Sequence, residues 1–190
     1  MKKVSLIYIA LFAACLLQAC HGRNDSEADD DTTTAIADTS NNATIIVGKD
    51  DARFVTDVSQ ACMAIIKAGN LAKKQGKDKR VRNFGALMVK DLTKGKKRLD
   101  SLAKIKKIAL PDSISIEQSA SLSVLAKKTG KDFDKAYLDK MTADYKKALQ
   151  LFQSTAKTAY DPQIKAFAAK NIMTVQRHLD LVQAIDGSLK

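Results

Sequence analysis

The chain has 190 residues, with 32 Lys+Arg against 21 Asp+Glu, a formal charge of +11, and 45% hydrophobic residues. That is room for one ordinary domain and an appendage, and too apolar for a wholly disordered chain. Eight Gly, two Pro, three Cys and two His leave too few breakers for a turn-rich all-β sandwich. They also leave too few ligands for a zinc finger, a zinc ribbon or a disulfide framework.

The chain opens Met1-Lys2-Lys3, followed by an apolar run from Val4 to Leu17 broken only by Ser5. A charged start and an apolar stretch too short for a permanent span describe a signal peptide over residues 1–19. The run ends Leu17-Gln18-Ala19-Cys20, as bacterial lipoprotein signals do. There the cysteine thiol receives diacylglycerol, and cleavage exposes Cys20 as the acylated N-terminus. Cys15 leaves with the signal and Cys20 becomes a thioether, so Cys62 is the thiol expected in the mature chain.

Residues 20–50 are then read as the acylated Cys and a disordered acidic tether. The stretch 20–51 holds 2 basic and 8 acidic residues, whereas 52–190 holds 28 basic and 13 acidic. Thirty such residues have a root-mean-square span of roughly 30 Å, enough to hold a domain just off a membrane. The run Asp25, Glu27, Asp29, Asp30, Asp31 resembles surface-export signals of lipoproteins in some Gram-negative groups, but is read first as a solvating linker. His21, rather than Asp, follows Cys20 and favours outer-membrane sorting.

Residues 51–188 read as helical. Asp50-Asp51 offer an N-cap, and Phe54, Val58, Cys62, Ile65, Gly69 and Ala72 recur at helical spacing up to Gly76. A second stripe runs Val81, Phe84, Met88, Leu92, Gly95, Leu99 and Leu102 and ends before Pro111. A shorter helix is expected within 112–128, closed by Thr129-Gly130. The third long helix carries Phe133, Tyr137, Met141, Tyr145, Ala148 and Phe152. Asp161-Pro162 is an N-cap followed by Pro at the first helical position, and the fourth helix turns Ile164, Phe167, Ala168, Asn171, Val175, His178, Leu179, Val182 and Ile185 inward. The expected class is all-α: a four-helix bundle with an extra short helix between helices two and three.

Bundle enzymes carry their chemistry on inward side chains, and a di-iron centre needs Glu from two helices and Glu-x-x-His from the other two. Residues 52–190 contain one Glu, Glu117, and one His, His178, and no Glu-x-x-His. The candidate polar cluster is therefore His178 with Asp91, Asp144 and Tyr145, read as a packed histidine and its hydrogen-bond neighbours. Asn171 is read as a contact between helices and Cys62 as a small core residue. No metal, cofactor or catalytic residue is expected.

At these same residues the chain resembles the domain-of-unknown-function family 4142, ferritin-like four-helix bundles often described as exported or outer-membrane proteins. The matching stretches are Gly69-x-Leu71-Ala72, Val81 to Asp91 (VRNFGALMVKD), Phe133-Asp134-x-x-Tyr137 running to Asp144, and Asp161 to Leu179. The resemblance implies the ferritin-like fold. Typical members also carry a Glu where this chain has Ile65, and a His after the Asp where it has Leu92 and Tyr145. His178 is the imidazole that stays. The resemblance therefore does not carry a metal site onto this chain.

Basic runs such as Lys94-x-Lys96-Lys97-Arg98 and Lys104-x-Lys106-Lys107 fall on outer helix faces. No aromatic residues interleave with them, so nucleic acid has no stacking platform. The expected role is that of an outer-membrane lipoprotein facing periplasm or cell surface, non-enzymatic, with an interaction or envelope-maintenance function. Its partners would be the membrane, through Cys20, and an anionic envelope polymer or an envelope protein. The alternative is a metal-binding or oxidoreductase bundle centred on His178.

Overall fold

The computed structural model describes residues 47–189; the signal peptide, Cys20 and most of the tether expected above lie outside the described residues. Five helices follow in order: α1 Lys49–Gln75, α2 Lys79–Ile105, α3 Ile116–Ala126, α4 Gly130–Thr158 and α5 Pro162–Ser188. At about 1.5 Å per residue the four long helices each reach about 40 Å. Among the described residues no helix is long and apolar enough to cross a membrane.

The ends follow local chemistry. Asp161 caps α5, its carboxylate accepting from Gln163 N and Ile164 N, with Pro162 in the first turn. Ser115 and Gln118 form a capping box on α3, satisfying two otherwise orphan donors. The start of α1 departs from expectation. Gly48 is its N-cap, and Asp50 and Asp51 lie within the first turn. Asp51 is buried, and its Oδ2 accepts the backbone N–H of Asp161 at 2.7 Å. A carboxylate near a helix N-terminus is favoured by the dipole, and here it also ties α1 to the start of α5.

The end-to-end contacts set the topology. Asp51 on α1 reaches the α4–α5 corner, while Asp134 at the start of α4 accepts from the backbone N–H groups of Lys77 and Asp78 at the α1–α2 corner. Arg80 at the start of α2 donates to Ser188 at the end of α5. In chain order the four long helices thus run up, down, down, up, and the order α1, α2, α5, α4 around the bundle makes each helix antiparallel to both of its neighbours. Going from the end of α2 to the start of α4 requires a crossover along the bundle. That crossover contains α3, which lies against α1 and α4, with Gln75 donating to the Ala126 carbonyl at its far end. One long crossover of this kind is the ferritin-like arrangement.

Within each hairpin the packing is close. A Cβ built on Gly85 would stand 2.7 Å from the Gly69 carbonyl oxygen and 2.8 Å from Ala72 Cβ. One on Gly69 would stand 2.8 Å from the Gly85 carbonyl oxygen. Here α1 and α2 touch backbone to backbone, which only glycine permits. Aromatic residues tie the second hairpin to the first: Phe54 meets Phe152 edge-on at 5.2 Å, and Phe133 stacks on Tyr137, which meets Phe84 edge-on.

Candidate functional site

Midway along the bundle the seam turns polar. His178 on α5 is 1% exposed, and its Nε2–H donates to Asp91 Oδ2 on α2 at 3.1 Å. Burial pulls the His178 pKa below its usual value, against the upward pull of Asp91, so at neutral pH the imidazole is uncharged. Arg177 approaches the same carboxylate oxygen at 3.6 Å. Tyr145 on α4 lies edge-on to the His178 ring at 5.4 Å, and its hydroxyl donates to Met88 Sδ at 2.8 Å. Burial pushes the Tyr145 hydroxyl well above its ordinary range, keeping it a neutral donor.

Three of the four predicted cluster residues therefore meet: His178, Asp91 and Tyr145. Asp144 does not join them. It faces away and pairs with Lys140 one turn earlier at 3.1 Å, because a step of one residue turns a side chain about 100° around a helix. Asn171 also departs from expectation. Its Nδ2 donates to the Phe167 carbonyl of its own helix at 2.7 Å rather than to a neighbouring helix. Cys62 is half-buried, and burial pushes its thiol up to about 11, so it is not a thiolate nucleophile at neutral pH.

The donor set does not fit the dinuclear metal centre that the ferritin-like fold can build. Here one imidazole meets one carboxylate, and Arg177 already neutralises that carboxylate in part. Among the described residues no group of three or more His, Cys, Asp or Glu side chains could hold a metal ion.

Two openings flank this polar centre. One, of about 220 Å³, lies between α2 and α5 and is lined by His178, Asp91 and Asn171, with Phe152 and Phe167 on its walls. The other, of about 590 Å³, lies between α1 and α4, roofed by the start of α3 through Ser115, Gln118 and Ser121. They share six wall residues, Val58, Cys62, Leu92, Tyr145, Phe152 and Val175, so they approach each other across the middle of the bundle.

Several residues with definite work escaped the sequence reading. Asp134 clamps the α1–α2 corner through two backbone N–H groups. Lys106, with a side chain 4% exposed, pairs with Asp161 at 2.5 Å across the α2–α5 end. Burial pushes the Asp161 carboxyl up, but Lys106 and the N–H groups of Ile164 and Gln163 outweigh it and hold the pKa below its usual value. The signal for Lys106 was hidden in a run of exposed lysines; that for Asp134 was an acidic residue on the apolar stripe beside Phe133.

The profile of the family described as Domain of unknown function (DUF4142) matches residues 33–185. None of the curated proteins matches the chain significantly. Among solved structures, a DUF305 fragment from Deinococcus radiodurans superposes with a TM-score of 0.66 at 11% identity, covering 75% of this chain and 98% of that one. CopM in its Cu(I)-bound form gives 0.62 at 11% identity, covering 73% and 96%. A DUF305 protein from Streptomyces coelicolor gives 0.60 at 15% identity, covering 72% and 91%. At these identities the likeness is one of fold.

Proposed function

The chain belongs to the DUF4142 family, and on that premise we propose that it is an outer-membrane lipoprotein, anchored through Cys20, whose bundle is a non-catalytic binding module. The observation that carries the binding half is the state of the bundle centre. The polar groups that meet there are already held, His178 by Asp91 and Tyr145 by Met88. Cys62 is protonated at neutral pH. Among the described residues at this centre, no nucleophile stands next to a free base, as covalent catalysis requires. What the bundle offers instead is two clefts with largely apolar walls beside that centre, and concave, mostly apolar space is the usual form of a ligand site. The anchor half is supported by the order of charged start, apolar run and Leu17-Gln18-Ala19-Cys20. Acyl chains contribute about 0.8 kcal/mol per buried CH₂, so two or three hold a protein stably.

A second reading is a soft-metal site. Met88 and His178 both flank Tyr145, Cys62 lines the same cavity as His178, and CopM, a similar structure, is Cu(I)-bound. Thioether, thiolate and imidazole suit Cu(I). Here Tyr145 occupies the Met88 sulfur and Asp91 occupies His178 Nε2, which favours the first reading.

Mass analysis of the full chain recovered from envelope fractions tests both. The expected result is a mature N-terminus at a lipidated Cys20, and no transition metal retained after offering copper, iron and zinc at equal concentration. Unmodified Cys20 overturns the anchor; one bound metal per chain overturns the non-metal reading.

A further inference from the structure

The two openings differ in charge, and this difference selects a ligand. Around the α2–α5 opening stand Lys94, Arg98 and Arg177 against the single carboxylate Asp91. Asp91 is already engaged by His178 and Arg177. Around the α1–α4 opening stand Asp57, Glu117 and Asp144 against Lys140 and Lys147. One mouth is therefore basic and the other slightly acidic. Between them the shared wall is mainly Val58, Leu92, Phe152 and Val175, which offers an apolar body hydrocarbon contact and no hydrogen bonds.

We infer that the bundle binds a single-chain amphiphile with a carboxylate head, of the size of a medium-chain fatty acid, head at the α2–α5 mouth and chain directed into the seam. This rests on the binding-module reading and deepens it. Three observations carry it together. The first is the charge: an anion is drawn to Lys94, Arg98 and Arg177 and repelled from the opposite mouth, which fixes the ligand's direction. The second is size. A cavity of about 150 Å³ holds benzene, so the 220 Å³ opening takes a head and the first few methylenes. That opening is a cleft rather than a closed void, so the remainder of the chain lies along its apolar side, formed by Phe152, Phe167 and Val175. The third is that the apolar walls come from both hairpins, which make few contacts across α2 and α5 compared with those inside each hairpin. A chain entering there need not break either hairpin's own packing. The head group is held at an exposed rim, so solvent weakens each contact; the burial of the chain supplies most of the affinity.

The test uses the full chain in nanodiscs and [1-13C]decanoate, read by the carboxyl carbon resonance, with empty nanodiscs as the partition control. The expected result is a carboxyl signal distinct from that of lipid-partitioned decanoate, displaced by unlabelled decanoate and much less by decanol. The double variant Lys94→Gln/Arg98→Gln alters exposed side chains and should raise the dissociation constant about tenfold, the scale of charge-assisted contacts at a wet rim. Lys140→Gln/Lys147→Gln at the other mouth should not weaken binding. Val175→Phe, which narrows the shared wall, should abolish the signal while the helical circular dichroism persists; if that variant fails to fold, the two charge variants still decide. No signal beyond empty nanodiscs, equal displacement by decanol, or undiminished affinity in the Lys94/Arg98 variant overturns the inference. Each of these outcomes leaves the Cys20 and metal measurements standing, so the failure of the ligand class and the failure of the binding-module reading are separable.

Discussion

Two Gly→Ala substitutions in the same helix should move stability in opposite directions. In isolation Ala favours a helix interior over Gly by about 1 kcal/mol. At Gly95 an added Cβ meets nothing within 4 Å, so Gly95→Ala should gain most of that. At Gly85 the added Cβ stands 2.7 Å from the Gly69 carbonyl oxygen and 2.8 Å from Ala72 Cβ. Carbon needs a separation of about 3.5 Å or more from such neighbours, so α1 and α2 must part by several tenths of an ångström. The obstacle is backbone, which cannot swing aside as a side chain can. Overpacking of this kind costs about 1–3 kcal/mol, and separating the helices also loosens the nearby contacts of Val81, Phe84 and Met88, all buried. The propensity gain offsets part of this, leaving a net loss of about 1–2 kcal/mol for Gly85→Ala. For a domain of this size that is a fall of roughly 3–8 °C in melting temperature. Gly95→Ala should rise by roughly 2–4 °C on the same scale. Thermal unfolding followed by circular dichroism at 222 nm reads both. A rise for Gly85→Ala equal to that of Gly95→Ala would refute the close crossing of α1 and α2.

Lys106→Met should lower unfolding free energy by about 2–4 kcal/mol, because it leaves the Asp161 carboxylate buried without its cation; denaturant titration measures it. With Lys106 present, the lowered pKa of Asp161 means its contribution is complete above the unfolded value near about 3.9 and is lost as pH falls through the folded one. Part of the acid-induced loss of stability below about pH 4 should therefore vanish in Asp161→Asn. His178 should titrate by NMR below about 6.5; because its folded pKa is lowered, the unfolded chain takes the proton first. Stability should accordingly decline as pH falls below about 6.5, and that slope should flatten in His178→Gln. Asp134→Asn keeps the shape but replaces one acceptor oxygen by a donor that cannot pair with an N–H. With Lys77 and Asp78 both donating to the carboxylate, the loss should be about 1–3 kcal/mol, and amide exchange should quicken first at that corner.

The stretches that carried the family resemblance turn out to do structural work. Gly69 and Ala72 meet Gly85 at the α1–α2 crossing. Phe133 and Tyr137 stack, and Asp134 between them holds the opposite corner. Asp91, at the end of the VRNFGALMVKD stretch, orients His178. Spacing was enough to find the helices because an amphipathic stripe must recur every three or four residues to reach one core. It could not rank Asp91 over Asp144. Each lies one step from its stripe, and which of them meets His178 depends on which helices are neighbours and how each is turned.

The amino-acid order by itself determined the helices, the Asp161-Pro162 start of α5, the break at Thr129-Gly130 and the scarcity of metal-binding side chains, because these follow from local backbone preference, periodicity and inventory. Only the tertiary structure decided that Asp51, Lys106 and Asp134 are internal struts, that Asp144 turns away, and that the bundle opens through one basic and one acidic mouth. Those facts depend on groups 50 to 110 residues apart in the chain, and long-range proximity is fixed by how the hairpins dock, which no local pattern records.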